Sequence, residues 1–393
     1  MTNSLYAIFL FLFPFSLYAQ EKNAAIVNPQ AEFYVASDFT KEGIFTGGIE
    51  GPAVDAKGNL YAVNYSKDGT IGIMDSIGNA KIFATLSTGR IGNGIRFDKQ
   101  ENMYIADYPG HTVQMIPAGK NIAETYCYNK SFNQPNDLAI MSNGILFASD
   151  PNWSNSTGKI WRIGKDKIAV LLEANMGTTN GIEVSPDDKY LYVNESAQKK
   201  IWRYDLTGTG EISNKTLFAS FNDYSMDGMR CDILGNLYVT RYGKGTIAIL
   251  SPEGTLLREV LTKGTDLSNI AFGGKDGKTC FVTLQDRKMV EMFRTEIPGR
   301  EWYLFQPVTG STFENGKTGR VEVFPNPSTS RISLKNLDPD SMITVIDVKG
   351  NKIYSSRNKT DHQDIDVNNW EKGLYLVNIQ TRENTTVKKV IIN

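Results

Sequence analysis

A short phrase returns six times along this chain, at intervals of about 43 residues. It stands as Gly51–Tyr65 (GPAVDAKGNLYAVNY), Gly94–Tyr108 (GIRFDKQENMYIADY), Asp137–Pro151 (DLAIMSNGILFASDP), Gly181–Ser196 (GIEVSPDDKYLYVNES), Gly228–Tyr242 (GMRCDILGNLYVTRY) and Asn269–Gln285 (NIAFGGKDGKTCFVTLQ). Each copy has a short apolar strand, a turn of Gly, Asp, Asn or Lys, and a second strand rich in Tyr, Val and Phe. Two further strand-like runs follow, as Thr70–Met74 and Lys81–Leu86 follow the first copy. A period of about 40–50 residues built from strands is the signature of propeller blades, with four strands to a blade. Six copies therefore predict an all-β, six-bladed β-propeller over residues 31–305, its outer ring closed by Glu32–Ala36. Function is to be sought where the central channel opens.

The ends of the chain read differently. Leu5–Ala19 (LYAIFLFLFPFSLYA) is apolar, too short to span a bilayer, and ends in a small residue, which predicts a signal peptide over residues 1–19. No Lys or Arg precedes it, so a hydrophobic anchor is the alternative. The net charge is −1 and no Lys/Arg tract occurs, which argues against nucleic acid or an anionic membrane as partner. Cys127, Cys231 and Cys280 lie in strand-like runs and form no CxxC or Cys/His cluster, so zinc and a disulfide framework are poorly supported. A monomeric chain is expected.

The residue immediately before the first strand of each unit is Glu50, Asn93, Asn136, Asn180, Asp227 and, one position displaced, Asn269. In a propeller the first strands line the channel, so these side-chain oxygens form a ring at one mouth. The second strands return to the same face and bring Asn64, Asp107, Asp150 and Asn194 towards it, with Arg241 and Gln285 in the last two blades. Asn-Gly and Asp-Gly are also ordinary turn dipeptides, which accounts for Asn93, Asn180 and Asp227 but not for Glu50 or Asn136. A ring of carboxylates and amides without His or Cys suits a hard cation such as Ca²⁺, which takes oxygen ligands, and Glu50 with Asp227 would neutralise it. A polar, water-filled channel is the alternative.

The runs Glu50-Gly51-Pro52, Pro135-Asn136-Asp137-Leu138, Ser149-Asp150-Pro151, Asn180-Gly181-Ile182, Asp227-Gly228-Met229-Arg230 and Asn269-Ile270-Ala271-Phe272-Gly273-Gly274 resemble, in order, the gluconolactonase-like family. That family includes senescence marker protein, luciferin-regenerating enzyme and the squid-type phosphofluoridases. The resemblance implies one divalent cation, usually Ca²⁺, at the channel mouth. Its ligands map onto Glu50, Asn180 and Asp227, with Asn136 as a fourth ligand or a substrate contact. Such a site would polarise a lactone carbonyl, with Asp227 as base or nucleophile and Asn93, Asn136, Asp150, Arg230 or Arg241 as candidates to hold substrate hydroxyls. Phe132-Asn133-Gln134 stands where some relatives carry an Arg, and the two histidines, His111 and His362, lie away from the expected mouth. The function expected is an exported calcium-dependent hydrolase of sugar-type lactones or related esters. The alternative is a surface propeller that binds a ligand or partner without turnover.

After Phe305 the repeat stops. Residues 306–320 (QPVTGSTFENGKTGR) read as a linker, and strand patterns follow at Val321–Phe324, Arg331–Lys335, Met342–Val348, Lys352–Ser355, Leu374–Gln380 and Val387–Ile392, as a small β-sandwich over 321–393 requires. Phe324-Pro325-Asn326-Pro327, Asp347-Val348-Lys349-Gly350-Asn351-Lys352, Lys372-Gly373-Leu374-Tyr375 and Lys388-Lys389-Val390-Ile391-Ile392 resemble the C-terminal sorting domain of type IX secretion. That resemblance implies passage through the periplasm, export across the outer membrane by the type IX machinery, and a secreted or cell-surface product.

Overall fold

The computed structural model describes residues 33–305, 321–347, 352–381 and 385–392. The expected signal peptide (1–19) and linker (306–320) lie outside the described residues. Six four-stranded antiparallel sheets follow one another from Ser37 to Arg294, and each is one blade. The first strands are Phe45–Val54, Gly92–Phe97, Leu138–Ile140, Thr179–Val184, Met229–Cys231 and Leu267–Gly273. Each packs beside the next, and the last returns to the first, so the ring is closed.

Closure uses the N-terminal segment, but by different residues from those expected. Ser37 and Asp38 pair with Met292 and Glu291 as the outer strand of the sixth blade, while Phe33 makes an isolated parallel bridge to Arg294. The apolar core is divided among the junctions between blades. Tyr61 and Ile71 of the first blade pack with Phe97 and Ile105 of the second, and Tyr238 and Ile247 of the fifth with Phe272 and Val282 of the sixth. The three cysteines are free and buried, Cys127, Cys231 and Cys280 each serving one of these junctions.

The recurring turn has a physical reason. Asp55 Oδ1 accepts the backbone N–H groups of Lys57 and Asn59, and Oδ2 accepts the Asn59 amide and the Tyr61 hydroxyl. Asp98 repeats this with Gln100, Asn102 and Tyr104. A carboxylate that satisfies a whole hairpin turn fixes its register, so the spacing of Asp, Asn and Tyr returns in the fifth blade, where Asp232 accepts the N–H groups of Leu234 and Asn236 and the Asn236 amide.

The C-terminal region forms two sheets around a shared apolar core that includes Ile332, Ile343, Val377 and Val390. One has three strands (Glu322–Phe324, Arg331–Lys335, His362–Asp366) and the other four (Lys352–Arg357, Met342–Asp347, Gly373–Gln380, Thr385–Ile392). The strand His362–Asp366 was not expected from sequence. It is an edge strand whose only buried side chain is Ile365, too little apolar pattern to stand out. Among the described residues no helix is long and apolar enough to cross a membrane.

Candidate functional site

Glu50, Asn93, Asn136, Asn180 and Asp227 all line one cavity of about 610 Å³ at the channel mouth. The glycine after four of them exists for close approach between blades rather than for a turn. A Cβ on Gly51 would overlap the carbonyl oxygen of Asn93, and one on Gly228 would overlap the side chain of Asn269. Only a bare backbone lets neighbouring first strands converge enough to bring their entry residues into one ring. Asn269 completes the sequence ring but lies behind it. Its Nδ2 donates to Glu50 Oε2 at 3.1 Å, beside the Gly51 N–H at 2.8 Å.

The charge at the floor of the cavity is unbalanced. Burial pushes the Glu50 carboxyl up to about 7, and Asp137 adds to the rise. Asp227 is raised well above the ordinary carboxylate range by burial, then by Glu50 and Asp137, with a hydrogen bond from Asn180 acting the other way. Asn180 Oδ1 is buried without a partner. Two buried carboxylates that repel each other and an orphaned amide oxygen beside them are what an oxygen-ligated cation would resolve. The donor set therefore fits a hard divalent cation. It does so without three acidic or His/Cys groups, since no such cluster occurs among the described residues.

The second-strand ends are placed differently from the reading of the sequence. Asn64 reaches the cavity wall, but Asp107, Asp150 and Asn194 do not. The Asp150 carboxylate accepts the N–H groups of Asn133 and Gln134 at 2.6–3.0 Å and the Trp161 indole at 2.9 Å. It thus braces the loop that delivers Asn136. Asp107 accepts the N–H of Ile91, just before Asn93, and Glu195 accepts that of Gly177, just before Asn180. Arg241 performs the same task with polarity reversed, donating to the Asp223 carbonyl and carboxylate ahead of Asp227. Asn194 Nδ2 donates to the Asp227 carbonyl at 2.5 Å. These side chains hold the approach loops, and the departure of Arg241 from the acidic pattern is a change of sign, not of role.

Arg230 also lies away from the cavity wall. It sits three residues after Asp227, fully buried in a lower tier of the channel with Arg96, Asp137 and Glu183. Arg230 Nε is 3.0 Å and Arg96 Nε 3.4 Å from Glu301 Oε1, and Glu301 belongs to the short helix Arg300–Phe305 that follows the last blade. Arg300 in turn pairs with Asp188 at 2.7 Å and accompanies Glu183 at 3.8 Å. The helix thus inserts a carboxylate between two channel arginines. Arg230 Nη1 also donates to Asn269 Oδ1 at 3.3 Å, which links this tier to Glu50.

Several cavity residues were not singled out from sequence. Tyr108, Trp153 and Tyr242 stand on its wall with Asp68, beside Gln285, which the sequence did place at the mouth, and Gln134, which stands where some relatives carry an Arg. Tyr108 and Tyr242 close two of the repeated phrases, a signal that was available. Trp153 lies in a turn between strands, outside the periodic pattern, and carried none.

Residues 48–286 match the family model described as the SMP-30/Gluconolactonase/LRE-like region, and residues 322–393 match that of the secretion system C-terminal sorting domain. A gluconolactonase of Zymomonas mobilis is 30% identical over 218 residues, covering 49% of this chain and 60% of that protein. The chain thus spans less than two thirds of that relative's length. Diisopropyl-fluorophosphatase of Loligo vulgaris is 25% identical over 67% of this chain and 94% of its own. The crystal structure of the calcium-binding protein regucalcin from Agrobacterium tumefaciens superposes with a TM-score of 0.59 at 18% identity, covering 67% of this chain and 95% of that one, which supports the propeller fold.

Proposed function

The chain belongs to the SMP-30/gluconolactonase/LRE-like family, and on that premise we propose that it is an exported hydrolase of sugar-type lactones, dependent on a divalent cation held at the channel mouth. The observation that carries this reading is the uncompensated floor of the cavity, where burial raises the Glu50 and Asp227 carboxyls, with Asp137 adding to both and Glu50 to Asp227, beside the orphaned Asn180 Oδ1. Glu50, Asn180 and Asp227, with Asn136 beside them, would hold the cation, and the all-oxygen set favours Ca²⁺. When bound, the cation would supply Lewis-acid polarisation of the lactone carbonyl.

The chain's own residues account for the rest. Asp227, ionised when its charge is compensated, takes a proton from water as the water oxygen bonds to the lactone carbon. The ring C–O bond then breaks, the ring oxygen leaves as the sugar hydroxyl with the proton that Asp227 returns, and the new carboxylic acid releases its own proton to solvent as the aldonate. Asn93 and Gln134 on the cavity wall offer amides to substrate hydroxyls. Asp150 and Arg230 support the loop and the floor instead. Residues 1–19 would direct passage of the inner membrane, and the sorting domain would engage the type IX machinery for surface export.

The test is a pH-stat assay of the full chain on a panel of aldonolactones. Acid release that chelation abolishes and Ca²⁺ restores is the expected result. No release from any lactone, with a cation still bound, would favour a ligand-binding propeller.

A further inference from the structure

The cavity has a second character above its charged floor. Glu50 and Asn180 are 7% and 3% exposed, whereas Trp153 on the same wall is 46% exposed and Tyr108 and Tyr242 are half-buried. Depth therefore separates an oxygen-lined floor from an aromatic rim. None of the lining residues is Lys, Arg or His, while three, Glu50, Asp68 and Asp227, are acidic. Two arginines that adjoin lining residues in the chain are engaged elsewhere. Arg90 pairs with Asp107 at 2.8 Å, and Arg241 pairs with Asp223 and stacks on Phe221. An anionic substituent held on the wall above the floor would lose water and meet no cationic side chain, which makes its burial costly.

The volume points the same way. About 610 Å³ exceeds what one six-membered lactone and its hydroxyls fill. The exposed part of the wall carries Trp153, whose face offers apolar area to the C–H face of a sugar ring. Resting on the lactonase reading, we propose that the site takes the lactone end of an uncharged oligosaccharide, with the lactone ring on the floor and the adjoining sugar against Trp153. Export would bring such a site to substrates outside the cell, where the reaction that supplies them is oxidation of a reducing-end hemiacetal.

The experiment compares glucono-1,5-lactone, cellobiono-1,5-lactone and 6-phosphogluconolactone on the full chain. The disaccharide lactone should show a kcat/KM about tenfold or more above the monosaccharide, and the phosphorylated lactone about tenfold or more below it. Trp153→Ala should bring the disaccharide-to-monosaccharide ratio to about one, and Trp153→Phe should restore most of it. Equal rates for the two neutral lactones, a ratio indifferent to Trp153→Ala, or brisk turnover of the phosphorylated lactone would overturn the inference while leaving the lactonase reading intact. If no lactone is hydrolysed, fluorescence titration with the corresponding non-hydrolysable lactams decides. A signal absent from Trp153→Phe and stronger for the disaccharide lactam keeps the subsite and discards the activity. Failure of the disaccharide lactam to bind discards the subsite.

Discussion

The mouth of the channel and the tier beneath it are drawn from the first strands and the residues leading into them, with Asp227 just ahead of the strand Met229–Cys231 and Arg230 within it. At the mouth, Glu50 and Asp227 face each other with amides for company, both carboxyls are pushed up, and Asn180 Oδ1 is left without a partner. One tier down, Arg96 and Arg230 are as deeply buried, yet Asp137, Glu183 and Glu301 surround them with opposite charge. Burial alone therefore does not distinguish the two levels. The lower tier balances its charge with its own side chains, although Arg96 Nε, Arg230 Nε, Asp137 Oδ2 and Glu183 Oε2 make no hydrogen bond, whereas no cationic side chain lines the upper one.

That contrast can be broken at either level. The largest expected effect is on turnover: Asp227→Asn should lower lactone hydrolysis about a thousandfold or more in steady-state assays, with the far-ultraviolet circular dichroism of the parent. Below it, Glu301→Ala should cost roughly 3 kcal/mol in urea unfolding, because two buried arginines lose their shared carboxylate. An unchanged midpoint would mean that the helix Arg300–Phe305 merely rests against the channel.

Removing charge from the upper tier should have the opposite sign. Glu50→Gln should stabilise the cation-free protein by about 1 kcal/mol and weaken Ca²⁺ binding by about tenfold or more, seen by thermal unfolding with and without chelator. The pH dependence follows from the same repulsion. The Glu50 carboxyl rises from an ordinary value of 4.5 to about 7, so its contribution to the cation-free fold is present below pH 4.5 and lost as pH rises through about 7. Cation affinity should run the other way and fall as pH drops below about 7, where protons compete for the carboxylates.

The smallest effect belongs to the brace. Asp150→Ala should lose about 1–2 kcal/mol of stability and several-fold in kcat/KM, since the Asn133–Gln134 loop loses its acceptors. A raised KM with stability unchanged would return Asp150 to substrate contact.

The six blades were legible because strand, turn and strand recur at a fixed spacing, which in the first, second and fifth blades is set by one carboxylate's hydrogen bonds, at Asp55, Asp98 and Asp232. The entry residues were legible for a related reason: Gly51 is forced by the Asn93 backbone and Gly228 by the Asn269 side chain, so the ring residues carry a marker beside them. Direction was the part that strand position could not supply. Asp150 and Asn136 both end at the mouth, yet one side chain turns to a loop backbone and the other to the cavity. Arg230 appeared as a substrate contact because its partner Glu301 is 71 residues away and no periodicity links them. Trp153 lay in a turn without pattern.

The most direct test of the central claim is a calorimetric titration of Ca²⁺ into the chelator-treated full chain, run beside Glu50→Gln. One site per chain with the variant weakened about tenfold or more is the predicted result. No heat of binding, or identical isotherms for the two proteins, would contradict a cation held by the upper ring.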